Sequence, residues 1–357
     1  MNIGIIGLPQ TGKKTLFQLL VGTHALDHHI DARKTARGVA DIQDLRFDRL
    51  VELYAAKKHT RARVDVLLPP KIEEKAVSQG DIFRDLAEVE VFCHVVRAFK
   101  DSAVYHVSGS VDPVRDINYV NAEFILHDLL FVEKRLERID RDLGKLKDDR
   151  LIKEKQILLK LKDPLENEVP LRVASIAPED DKVLRSYPLL SRRAMVVVLN
   201  VSDGDVADTV VVDDMARRYD TCQLVCLQVS AKMEAEIASL DSEAERAEFM
   251  QELGIEDTAL HGLTGKCIEA LQLLSFFTAS SNEVRQWLIR RGSSAVEAAA
   301  KIHTDLGRGF IRAEVIKCQD FFEFGSEEKV KNAGRLGVKG RDYTVEDGDV
   351  LFIRFSV

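Results

Sequence analysis

Three observations predict an α/β fold built on a mostly parallel, doubly wound sheet. Apolar runs recur between helical stretches, a glycine-rich loop separates the first run from the first helix, and one long charged segment carries apolar residues three and four apart. The first run is Asn2–Ile6; from Thr15 the residues Leu16, Phe17, Leu19 and Leu20 change to helical spacing, so the chain begins strand, turn, helix. Further runs at Val64–Leu68, Val91–Val96, Ala194–Asn200 and Cys222–Val229 extend the sheet.

Between the runs ending at Val96 and starting at Ala194 the period changes. Leu129, Val132, Leu136, Ile139, Leu143 and Leu146 step by three and four, and a second stretch, Leu151 to Leu165, follows Asp148–Asp149. This predicts a helical hairpin inserted into the sheet domain. Its segment 133–162 holds 11 Lys/Arg against 7 Asp/Glu, a local +4, which suits either a solvated face or a surface for RNA or an acidic partner. Beyond Leu274, Phe276–Ile289 reads as two strands and Ser294 to Glu297 as a capping box opening the helix AAAKIHTDL. FIRAEVI and VLFIRFSV read as strands, the latter with Leu351, Ile353, Phe355 and Val357 on one face. A small separate sheet domain follows.

Composition bounds the function. The chain has 357 residues, 45% apolar and 31% charged, enough for two or three cores. No apolar run of about 18 residues is present and MNIGIIGLPQ is no export signal, so a cytoplasmic protein is expected, with no membrane partner. Cys93, Cys222, Cys226, Cys267 and Cys318 are scattered and lack histidines at zinc-ligand spacing, which predicts reduced core thiols. A net charge of −8 requires any nucleic-acid contact to use a local basic face. His94, His106 and His303 are isolated and are expected to be structural, with His303 fixing its helix to the C-terminal sheet.

Gly7-Leu8-Pro9-Gln10-Thr11-Gly12-Lys13 is a GxxxxGK loop in the context where that pattern has a mechanism. Glycines let successive N–H groups aim at phosphate oxygens, while the helix N-terminus and Lys13 supply positive charge. The hydroxyl that would ligate Mg²⁺ is replaced by Lys14, and Thr15 lies about 100° further round the helix. Asp65, in RARVDV, has the placement of a Mg²⁺ carboxylate, although Leu68 stands where the glycine of DxxG would be; its alternative role is counter-ion to Lys14. Asn200-Val201-Ser202-Asp203 and Ser230-Ala231-Lys232, each closing a predicted strand, match base-reading segments of G domains: an Asn bracing the loops, an acid, and a backbone N–H.

With these motifs in order, the sequence resembles the YchF family, the Obg-like ATPases of the translation-factor class. The resemblance runs end to end and is densest in GLPQTGKKTLF, CHVVRAF, VSAKMEAEIASL, FFTASSNEVRQW, KIHTDLGRGFIRAEVI and DYTVEDGDVLFIRFSV. It implies a P-loop NTPase G domain over 1–121 and 186–275, a coiled-coil arm over 122–185 and a ubiquitin-like TGS domain over 276–357, folded across the arm's base. It also implies ATP bound in preference to GTP, slow hydrolysis and a role at the ribosome, with no small-molecule substrate beyond the nucleotide. The phosphate site implied is Gly7, Pro9, Gln10, Thr11, Gly12, Lys13, Lys14 and Thr15; the base site is Asn200, Val201, Asp203, Ser230, Ala231 and Lys232.

This chain departs from the family pattern in its chemistry. Members carry Ser where Lys14 stands, a glycine-rich second switch where Asp65 to Pro70 stand with Gly80 beyond, and Thr-Ile-Glu-Pro where Ala32-Arg33-Lys34-Thr35 precede Gly38. Their base-reading acid is usually Glu and here is Asp203. The expected function is therefore a translation-associated protein binding ATP or GTP, with hydrolysis and Mg²⁺ use left open; the alternative is a non-hydrolysing ribosome- or RNA-binding scaffold.

Overall fold

A computed structural model describes residues 1–22, 34–70, 85–145, 147–240, 242–252 and 259–356. From the N-terminus the chain forms strand β1 (Asn2–Ile6), helix α1 (Lys13–Val21) and strand β2 (Ala36–Asp41). An excursion, α2 (Leu45–Tyr54) and β3 (Lys58–Thr60), precedes β4 (Arg63–Leu68) and β5 (Val91–Arg97). Two long helices, α3 (Pro113–Leu143) and α4 (Asp149–Glu166), and the short α5 (Pro178–Leu184) come before β6 (Ala194–Asn200), α6 (Val210–Tyr219), β7 (Leu224–Val229) and α7 (Ala231–Ser239). Helices α8 (Glu243–Glu252) and α9 (Ala259–Ala270) lead to β8 (Leu273–Ala279), β9 (Glu283–Arg290), α10 (Ala295–Ile302) and α11 (Thr304–Arg308). The chain closes with β10 (Phe310–Lys317), α12 (Cys318–Phe324), α13 (Glu327–Asn332), β11 (Gly337–Lys339) and β12 (Asp349–Phe355).

Two compact units result, one of residues 1–40 and 65–260, the other of residues 41–64 and 261–357. The first holds a six-stranded sheet in the order β2-β4-β1-β5-β6-β7. The pairs β1–β4, β1–β5, β5–β6 and β6–β7 are parallel. Parallel strands covered on both faces need unbroken apolar runs, and every residue of β5, VFCHVVR, is buried. Phe92, Val96 and Val197 pack against Ile117, Val120 and Phe124 of α3 and Met215 and Tyr219 of α6. Truncating a core aromatic such as Phe124 to Ala costs about 3–5 kcal/mol in packed interiors.

The helical hairpin is present. Asp112 caps the N-terminus of α3 with Pro113 in its first turn, Gly144 ends it, and Asp148 caps α4. Val132, Leu136 and Ile139 bury themselves against Ile157, Leu158 and Leu161, with Leu129, Leu143 and Leu151 partly buried beside them; Leu146 lies outside the described residues. A bidentate Arg135–Glu154 pair and Lys155–Asp140 join the two helices. At its base, the fully buried Asp128 carboxylate accepts from the Leu190 and Ser191 N–H groups, each at 2.8 Å, and from the Ser191 hydroxyl at 2.6 Å. That satisfied charge fixes the hairpin to the segment entering β6.

The second unit has a sheet in the order β11-β10-β12-β8-β9-β3. Strands β8–β9, β10–β12 and β10–β11 are antiparallel, whereas β12–β8 and β3–β9 are parallel. One face is covered by Ala295, Ala298 and Ala299 of α10, the other by Phe47 and Leu50 of α2 with Phe321 and Val330. Residues 41–64, which the sequence leaves inside the first expected domain, are thus built into this unit. Their anchors are specific: Arg46 pairs with Asp44 and Asp347, and Gln286 accepts from the Ala62 N–H.

Ser294 and Glu297 form the expected capping box, but the helix ends at Ile302. His303 there takes extended angles, and its exposed ring accepts from the Asp305 N–H to open α11. It links two helices rather than fixing one to the sheet. In β12 Leu351 is buried, Ile353 half-buried and Phe355 exposed, so the expected apolar face fades along the strand; Val357 lies outside the described residues.

Candidate nucleotide site

The loop after β1 is shaped by three left-handed residues. Gly7 has φ 145°, Gln10 φ 63° and Gly12 φ 94°. Gly7 is obligatory because a Cβ there would lie 2.3 Å from the Val95 carbonyl oxygen of β5. Alternation of φ around Gln10 and Gly12 turns backbone N–H groups toward one side, the arrangement that makes an anion-binding concavity. Helix α1 follows with no acidic residue in its first turn, so its N-terminal donors and dipole are available to an anion. The Thr11 hydroxyl and the Lys13 ammonium both donate to the Leu8 carbonyl, which folds the loop over Pro9.

Asn200, at the end of β6, joins this loop to the start of α7. Its Nδ2 donates to the Thr11 carbonyl and its Oδ1 accepts from the Ala231 N–H, both at 3.0 Å, while its own carbonyl accepts from the Ala98 and Phe99 N–H groups. Gly12 completes the fit, since a Cβ there would stand 2.4 Å from Asn200 Nδ2. Next to it, Val201 is buried and donates its N–H to the Val229 carbonyl. Ser230 caps α7 by accepting from the Met233 N–H and donates to Asp203 at 2.5 Å; Lys232 reaches the other Asp203 oxygen at 2.9 Å. The Ser230 hydroxyl first, and Lys232 after it, hold the Asp203 carboxyl below the usual carboxylate range. Asp203 is thus already engaged by Ser230 and Lys232.

The metal half of the site differs from expectation. Strand β4 pairs Asp65 with Asn2, Val66 with Ile3 and Leu67 with Gly4. Asp65 therefore sits level with the start of β1, four residues short of Ile6, or about 13 Å along the strand. It is exposed at the far end from the phosphate loop, and the strand position nearest that loop belongs to buried Leu68. No ion pair joins Lys14 to Asp65 among the described residues, and Lys14 is exposed. Both expected roles of Asp65 fail for the same reason: the motif fixes the strand but not its register. Of the first-switch positions, Ala32 and Arg33 lie outside the described residues, as does Gly80; the Thr35 hydroxyl is turned to the Asp85 carboxylate. Among the described residues no group of three His, Cys, Asp or Glu is placed to hold a metal. Among the described residues the donor set suits a phosphate and does not suit Mg²⁺.

Two features escaped the sequence reading. Arg97, 2% exposed, donates to the carbonyls of Phe99, Asp101, Val104 and Tyr105, and so shapes the turn after β5. An arginine ending an otherwise apolar strand was the available signal. His106 is not isolated: its Nδ1 accepts from the Ser108 N–H, so Nε2–H is donated to the buried Asp116 carboxylate at 3.1 Å. His94 is the isolated one, buried with neither ring nitrogen partnered among the described residues.

The class is thereby defined: an α/β protein with a glycine-bent loop between its first strand and first helix. The relatives go further. The chain is 37% identical over 366 residues to "Ribosome-binding ATPase YchF" of Bacillus subtilis (strain 168), covering 100% of both chains. It is 33% identical to "Obg-like ATPase 1" of Bos taurus, covering 100% of this chain and 92% of that one. The family model YchF-GTPase_C, described as "Protein of unknown function (DUF933)", matches residues 273–356. A solved structure, "Structure of the Schizosaccharomyces pombe YchF GTPase", superposes with a TM-score of 0.80 at 26% identity, covering 99% of this chain and 97% of that one. The chain belongs to the YchF family of Obg-like ATPases.

Proposed function

We propose that this chain is a nucleotide-binding, translation-associated protein that holds the phosphates of ATP or GTP on Gly7–Lys13. In this reading residues 1–121 and 186–275 contribute the G domain, less 41–64 and 261–275, which belong to the second unit; 122–185 contribute the coiled-coil arm and 276–357 the TGS domain, and ribosome or RNA contacts fall to the last two. The observation that carries the reading is Asn200, one side chain that braces the phosphate loop at Thr11 and the base-side loop at Ala231. The brace holds the two loops that the proposed site needs in one fixed arrangement. The names of the relatives support the ribosome as partner.

Binding and hydrolysis separate in this chain. The phosphate cradle is made of backbone N–H groups and Lys13, whereas the hydroxyl and carboxylate of a Mg²⁺ site are replaced at Lys14 and Leu68. Base preference is weak, because Asp203 is already held by Ser230 and Lys232. Equilibrium dialysis with ATP, GTP and ADP, with and without EDTA, tests this. The expected result is binding lost in Lys13→Ala, ATP and GTP within about tenfold, under roughly 1.4 kcal/mol, and little effect of EDTA. Phosphate release should not exceed that of Lys13→Ala. Failure to bind any nucleotide would leave the scaffold reading in its place.

A further inference from the structure

A groove of about 600 Å³ lies beside α3 and the C-terminal end of α4, within the first unit and away from the phosphate loop. Ile125, Leu126, Leu129, Leu165 and Pro170 make it apolar. Leu126 is 44% exposed, and Leu130, one turn further along α3, is 47% exposed; Val169, beside Pro170, is also uncovered. Apolar side chains gathered at the mouth of a cavity mark an interaction surface more often than scattered ones do.

Its charged groups are of one sign. Glu166 and Glu168 line it, and no Lys, Arg or His does so among the described residues. Glu166 is partly offset by Lys162 at 3.4 Å, but Glu168 has no ion pair among the described residues. Glu168 also holds φ 57° just past the end of α4, where glycine would relax the backbone. The Val169 N–H closes that helix end onto the Pro164 carbonyl at 2.8 Å, so the Glu168 conformation is built into the helix stop. A carboxylate thus stands at a left-handed backbone position. Asn121 adds a donor: Arg172, which can only donate, gives Nη2 to Asn121 Oδ1 at 2.6 Å, and this leaves the Asn121 amide N–H₂ for an acceptor in the groove.

We propose that this groove docks a basic amphipathic segment of a partner protein. Apolar side chains from one face of the segment enter the cavity, a Lys or Arg meets Glu168, and a main-chain carbonyl accepts from Asn121. Acidic rims repel phosphates, so the observations favour protein over RNA.

The test uses the full chain and three probes in fluorescence anisotropy: a 12-residue amphipathic peptide of leucine and lysine, the same peptide with glutamate for lysine, and a 12-nucleotide single-stranded RNA. The leucine–lysine peptide should bind and the glutamate peptide should not. Glu168→Lys and Leu126→Glu, both at exposed positions, should each weaken binding at least tenfold. Glu168→Gly should weaken binding while raising the unfolding temperature, a combination that a purely structural Glu168 would not give. Peptide affinity unchanged within twofold in Glu168→Lys and Leu126→Glu overturns the proposal. So does equal competition by the RNA, or a dimer seen by sedimentation that Leu126→Glu dissolves.

Discussion

The loop after β1 and the neighbouring strand β4 flank one sheet and differ in what they keep. On the loop side every requirement is met by backbone conformation: Gly7 where β5 comes close, Gly12 where Asn200 comes close, and a helix N-terminus without competing acid. On the β4 side the requirement is for particular oxygen atoms, and in the proposed site Lys14 and Leu68 stand where a hydroxyl and a carboxylate would be needed. A cradle made of main chain persists as long as the fold does, because its glycines are also demanded by packing. A metal site made of side chains has no such protection.

The comparison breaks first at Gly12. Gly12→Ala places a methyl group against Asn200 Nδ2 at a φ that L-residues avoid, and nucleotide affinity should fall at least a hundredfold, about 2.7 kcal/mol. Asn200→Ala should reproduce much of the loss, since it strands the Thr11 carbonyl and the Ala231 N–H at about 1–3 kcal/mol for each buried group. Normal binding by both variants in dialysis would remove the brace from the account.

A smaller effect probes the well-kept side. Burial first, then the charges of Lys13 and Arg172, push the His94 imidazole down to about 3. An unfolded histidine titrates near 6.5, so the unfolded chain takes up a proton that the folded chain refuses. The stability associated with neutral His94 is complete above about pH 6.5 and declines by about 1.4 kcal/mol per pH unit as pH falls towards 3. His94→Leu, which fills the site without unpaired nitrogens, should flatten that decline; urea unfolding at pH 7.5 and 5.5 gives the slope directly. An unchanged slope would place the acid sensitivity elsewhere.

The smallest effect is on the other side. Asp65→Asn should leave nucleotide affinity within twofold, about 0.4 kcal/mol, because the register holds Asp65 at the wrong end of β4. Lys14→Ser with Leu68→Asp, not Lys14→Ser alone, is the pair expected to introduce Mg²⁺ dependence. A tenfold loss in Asp65→Asn would reverse the assignment.

These cases separate what local sequence can and cannot specify. Strands β1, β4, β5, β6 and β7 were legible because burial on both faces demands apolar runs, and the hairpin because its core repeats every three to four residues. The phosphate loop was legible because glycine spacing encodes backbone shape. Strand β2, ARGVAD, was not, since an edge strand buried only in part needs no apolar run. Asp65 misled because its register depends on Asn2, a partner 63 residues away by number, and nothing local reports it. The membership of α2 was hidden likewise: Phe47 and Leu50 look like any amphipathic pair until Phe277 and Phe321 exist to receive them.

That last pairing bears on the order in which the protein is made. Residues 41–64 leave the ribosome early, yet the sheet they complete begins only after residue 260. At about 5–20 residues per second, the intervening stretch of nearly 200 residues takes on the order of 10–40 seconds to synthesise. During that interval Phe47, Leu50 and the edge-forming segment Lys58–Thr60 have no native neighbours. The nascent chain must keep an apolar helix and an unpaired strand from aggregating until its own C-terminus emerges.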